Sequence, residues 1–112
     1  MAVVAGQNGL FAWAVISQKP SQTKTDSYNV TSITDNGVGR TIFTFSTAAA
    51  NNDYAVVCSA GNRNNTTTSA RAQNYDGAFT TTSCRIRNFV LNSDGDATYD
   101  DSYVSISIIA DH

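Results

Sequence analysis

The sequence predicts an all-β fold, a single antiparallel β-sandwich of about seven or eight short strands, and three observations carry that prediction. The first is composition. The chain has no Glu, Leu occurs only at Leu10 and Leu91, and Ser, Thr and Asn supply about a third of it. Strong helix formers are therefore scarce, while Val, Ile, Tyr and Phe, which favour strands, carry the apolar weight. The second observation is a period of two within short runs, which places alternate side chains on opposite faces of a strand. The third is a turn-forming cluster roughly every ten residues. At 112 residues and 11.9 kDa the chain suits one domain, expected over residues 10–112 and preceded by a segment at 1–9.

In chain order, Met1 to Gly9 is small and apolar, and reads either as an arm that docks on a neighbour or as a frayed end. Leu10 to Ile16 is a short apolar run. It fits a strand buried on both faces, or on one face with another subunit over the second, and makes Trp13 a core or interface anchor. Ser17 to Asp26 holds Pro20, Lys19 and Lys24 and reads as an exposed loop. Tyr28 and Val30 share one face of the next run, but Ile33 falls on the other. That change of phase predicts a bulge or a strand that passes between sheets.

Asp35 to Gly39 then separates this run from RTIFTFS, and these residue types tolerate the positive φ of a hairpin loop. Beyond it, Thr41, Phe43 and Phe45 alternate with Ile42 and Thr44, so one face is expected to be buried. Tyr54 to Ala60 reads as a central strand with Tyr54, Val56 and Cys58 on one side. Gly61 to Ser69 is a polar loop or edge, Ala70 to Asn74 a weak strand, and Tyr75 to Gly77 a turn. From Thr80 to Leu91, Cys84 and Ile86 point inward and leave Arg85 and Arg87, flanked by Phe89, on an outer or inter-subunit face. A turn at Ser93 to Asp96 precedes the closing strand, Tyr103 to Ala110.

Several function classes lose support at this stage. A net charge of -2 gives no electrostatic footprint for nucleic acid. No run approaches the roughly 20 apolar residues that span a bilayer, and the start lacks the basic region of a secretory signal, so synthesis in the cytosol is expected. The single histidine is the terminal His112, a poor base for Ser-His-Asp or Cys-His chemistry, and no enzyme is expected. Asp94, Asp96, Asp100 and Asp101 offer oxygen to Ca²⁺ but lack the spacing and terminal Glu of an EF-hand loop, so a solvated turn is preferred and no cofactor is expected. Cys58 and Cys84 lack metal-ligand spacing and read as buried free thiols in preference to a disulfide.

The order Ala12-Trp13, SYNVTSITDNGVG, alternating Thr41, Phe43 and Phe45, Asp53-Tyr54-Ala55-Val56-Val57 and a terminal VSISI resembles the trimeric β-sandwich domain at the distal ends of phage tail fibres and tailspikes. The resemblance is most specific from Ser27 to Val57. It implies a homotrimer, with Trp13, Phe43 and Phe45 contributing to cores or subunit contacts. With nine residues ahead of the domain, the chain is similar to free-standing trimers that decorate capsids. A cement or decoration protein on the outer capsid is therefore the first expectation, and a receptor-binding fibre or tailspike tip the second. The implied partners are further copies of the chain, the major capsid protein and host cell-surface glycans. On this reading Arg85 and Arg87 pair with acidic groups of a neighbour or of the capsid.

Overall fold

The structure, a computed structural model, describes residues 9–61, 71–75, 79–92, 95–98 and 100–110, with the backbone alone at 71–75, 89–92 and 95–98. Every regular element among them is a strand, as the composition predicts. They are β1 (Gly9–Ser17), β2 (Thr23–Tyr28), β3 (Val30–Asp35), β4 (Arg40–Phe45), β5 (Ala55–Gly61), β6 (Arg71–Tyr75), β7 (Ser83–Asn92), β8 (Gly95–Thr98) and β9 (Tyr103–Ala110). One antiparallel sheet runs β2-β1-β9-β5. The other runs β3-β4-β7-β6, with β8 also paired to β7. The expected arm at 1–9, apart from Gly9, lies outside the described residues, as do the loop at 62–69 and the turn residues Asp76 and Gly77.

Alternation explains how the sheets meet. Ala12, Ala14 and Ile16 from β1, with Val104, Ile106 and Ile108 from β9, are buried against Phe43 and Phe45 of β4 and Cys84 and Ile86 of β7. Leu10 and Ala12 bracket a break in register with β9. The extra residue, Phe11, is buried with its ring edge-on to Phe45, centroids 5.2 Å apart. Phe45 in turn meets Tyr54 at 5.7 Å, and Tyr54 stacks on Phe79 at 5.1 Å. This aromatic file closes one end of the core.

A polar cluster occupies the other end. Gln18, just past β1, donates from Nε2 to Thr41 Oγ1 (3.0 Å), while its Oε1 accepts from Asn88 Nδ2 (2.6 Å) and from the Asp101 backbone N–H (3.0 Å). All four residues are buried. Burying polar groups is tolerated when each finds a partner, and here the partners come from β4, β7 and the segment leading into β9.

The phase change in the run after Tyr28 is a crossing. β2 belongs to one sheet and β3 to the other, and between them Asn29 adopts φ 56°. Asn tolerates this left-handed conformation because its short side chain bonds locally. Asn29 Oδ1 accepts from Thr47 N–H (2.8 Å), and Nδ2 donates to Phe11 O (3.2 Å). Tyr28 and Val30 consequently lie on different sheets, which corrects their expected common face. The β3–β4 hairpin forms where the Asp-Asn-Gly-Val-Gly signal places it: Gly37 and Gly39 have φ 117° and 70°, and Asp35 Oδ1 accepts from Gly37 N–H at 2.9 Å.

Three further expectations are corrected. Thr23–Asp26 belongs to strand β2, not to a loop. Hydrogen bonding to β1 and the reach of Lys24 Nζ to Val30 O (2.9 Å) outweigh a charged, turn-prone composition. Among the described strands β5 lies at the edge of its sheet, paired with β9, and not at its centre. Thr80 to Thr82 is a turn, with Thr80 Oγ1 accepting from Ser83 N–H (2.9 Å), and β7 starts at Ser83.

Candidate functional site

The described residues include carboxylates and two thiols. No group of three His, Cys, Asp or Glu side chains there is placed to hold a metal ion. Asp100 accepts from Gly39 N–H (2.7 Å) and Asp101 is buried, whereas Asp94 and the Asp96 side chain lie outside the described set. His112 also lies outside it. Both thiols are free, and both face the interior from opposite sheets. Burial pushes the Cys58 thiol up to about 11. Burial, with the nearby Cys58, pushes Cys84 up to about 12. A thiol so held is protonated and unreactive at neutral pH. Tyr54 is likewise held well above its usual value, first by burial, and donates to Thr80 O (2.9 Å) and Ser83 O (3.0 Å).

Surface chemistry is more informative, because the two outward sheet faces differ. On β2-β1-β9-β5, register places Tyr28 beside Trp13, Trp13 beside Ser107 and Ser107 beside Val57, one row across all four strands. The next row is Leu10, Ile109 and Ala55. Leu10, Tyr28 and Val57 are 50, 55 and 59% exposed, an unusual concentration of large apolar groups on one side of a small protein. A pocket of about 160 Å³ lined by Phe11, Tyr28, Asn29 and Thr47 adjoins this face.

On the outward side of the other sheet, the described side chains of β4 and β7 bring arginines together. Ile42 is opposite Arg85, and Arg40 is opposite Arg87, so three guanidinium groups share neighbouring rows. Arg85 is exposed, while Arg40 and Arg87 are half-buried. Like charges placed directly across two strands oppose each other, and arginine is the side chain best suited to bind carboxylates in pairs of hydrogen bonds.

The six residues singled out in the sequence therefore separate into three places. Phe43 and Phe45 are spent in the chain's own core, at 0 and 6% exposure, and are withdrawn as surface contacts. Trp13 is half-buried on the apolar face. Arg85 and Arg87 lie on the opposite face, and Phe89 is in β7 with its side chain outside the described set. Sequence reasoning missed Tyr28, Val57, Ile109 and Arg40. Val57 and Ile109 carried a signal nonetheless: each is an apolar residue on the non-core phase of its strand.

No protein-family model, curated protein or solved structure matches the chain.

Proposed function

We propose that this chain is a bacteriophage virion structural protein, a homotrimeric cement protein on the outer capsid surface that reinforces the shell. The observation that carries the reading is the back-to-back placement of an apolar face and an arginine-bearing face on one two-layer fold. One side suits contact between copies, and the other suits an acidic partner, here the major capsid protein. The resemblance from Ser27 to Val57 supplies the phage setting.

The mechanism is mass action. A ligand that binds only the assembled shell stabilises it by RT ln(1 + [L]/Kd), about 4 kcal/mol per site at a thousandfold excess over Kd. A trimer multiplies the contacts each molecule makes, so modest arginine–carboxylate pairs sum to firm attachment. Purified protein should sediment with expanded empty heads and raise their melting temperature. Arg85→Glu should weaken that binding and steepen no other property of the isolated protein. Heads that melt unchanged in saturating protein would remove the proposal.

A second reading, the receptor-binding tip of a tail fibre or tailspike, follows from the same resemblance, which is strongest to such tips. It assigns the arginine face or the loops to host-surface glycans. Copy number separates the two: hundreds per virion mean capsid, and a few tens or fewer mean tail.

A further inference from the structure

We infer that the outward face of β2-β1-β9-β5 is a self-docking surface whose occupant is a second copy of this chain. The inference deepens the trimer reading above by naming its subunit contact, and its test is independent of any capsid.

Relief is the first argument. Trp13 and Val15 project from β1 and Val57 from β5, while between them β9 presents Ser105 and Ser107, with Tyr103 and Ile109 closing the two ends of that short gap. A ridge of large side chains thus stands beside a short furrow of two serines. Ridge and furrow are different surfaces, so the ridge of one copy can seat in the furrow of the next, the head-to-tail geometry that closes into a ring when the rotation permits. Hydroxyl groups in the furrow also offer partners to the indole N–H of an incoming Trp13.

Charge is the second argument. Among the outward positions of these four strands, Asp26, beside Val15, is the single charged residue. Two such faces meet without appreciable repulsion and with little charge to desolvate. An anionic membrane or a nucleic acid would require Lys or Arg here, and in the described strands those residues lie elsewhere.

Size is the third argument. Four strands at about 4.8 Å spacing and eight residues of β9 at about 3.4 Å each give a face on the order of 500 Å². A closed ring of three copies, each giving its whole face to its two neighbours, would hide on the order of 1,500 Å² in all.

The test uses the full chain in dilute buffer. Sedimentation and light scattering from about 1 to about 100 µM should show a concentration-dependent assembly. The emission of Trp13, the sole tryptophan, should shift to the red on dilution. Val57→Asp and Tyr28→Asp should each raise the dissociation constant about tenfold or more, with circular dichroism and melting temperature close to wild type. Val38→Ser removes a similarly exposed apolar side chain (58%) from the hairpin tip and should leave assembly unchanged. A wild type that stays monomeric throughout overturns the inference, as do Asp variants that assemble like wild type. A monomer that still binds heads would sink self-docking while sparing the capsid reading, and an assembly that ignores heads would do the reverse.

Discussion

Asn88 Nδ2 donates to Gln18 Oε1 at 2.6 Å, and this buried contact ties β7 to the segment that leaves β1. The same oxygen accepts from the Asp101 backbone N–H. Gln18→Leu keeps the approximate volume but leaves both donors without that acceptor, away from water. Losing the bonds to this acceptor should cost roughly 1–3 kcal/mol of stability. Urea unfolding monitored by Trp13 fluorescence measures it, and a loss under about 0.5 kcal/mol would mean the cluster is not a structural tie.

Asn29 offers a sharper comparison, because backbone and side chain contribute separately. Asn29→Gly keeps the left-handed conformation and forfeits the bonds to Thr47 and Phe11, whereas Asn29→Val forfeits the bonds and adds strain. A non-glycine residue held at positive φ costs on the order of 1–3 kcal/mol, with β-branched residues worst. Melting temperatures should therefore fall in the order wild type, Asn29→Gly, Asn29→Val. Equal losses in the two variants would contradict the strain account.

The two thiols set an alkaline limit. Both folded-state values lie above the ordinary value of 9.0, at about 11 for Cys58 and about 12 for Cys84. A raised value means the folded chain keeps protons that the unfolded chain has released. Their contribution is fully present below pH 9 and is lost as pH rises from there through about 11 to 12. Denaturant midpoints should hold steady through neutral pH and decline across that window, with a shallower decline in Cys84→Ala. At neutral pH Cys84 should react with an aromatic disulfide reagent only after denaturant is added.

Phe43 should behave as a core residue and not as a subunit contact. With no exposed surface, Phe43→Ala should cost about 3–5 kcal/mol at any protein concentration. Were the ring part of an interface, the loss would grow with concentration in equilibrium unfolding.

How far the sequence revealed this architecture depended on whether a signal was local. The hairpin after Asp35 was legible because Gly37 and Gly39 announce their own geometry. The inward phase of Cys84 and Ile86 followed from strict alternation. β2 was not legible: Lys24 and Asp26 read as loop residues, and only hydrogen bonding to β1, distant in its logic from local propensity, makes them a strand. The edge position of β5 was hidden for the same reason, since AVVCSAG reads identically whether one or both sides are paired. The candidate faces were half visible. Trp13 and the Arg85/Arg87 phase stood out, but which sheet each belonged to is a property of topology. Tyr28 escaped because the period of two was carried across Asn29, where the chain changes layer.

That change of layer also separates two histories. Tyr28 ends the strand that borders the apolar face, and Val30 begins the strand that leads to the arginine face. Substitutions on either outer surface are screened from each other by the buried residues between them. On the proposed reading, arginines on one face can be exchanged to suit a new shell without disturbing the contact between copies on the other. That reading leaves the shell-facing surface free to diverge quickly and holds the self-docking surface to slow change.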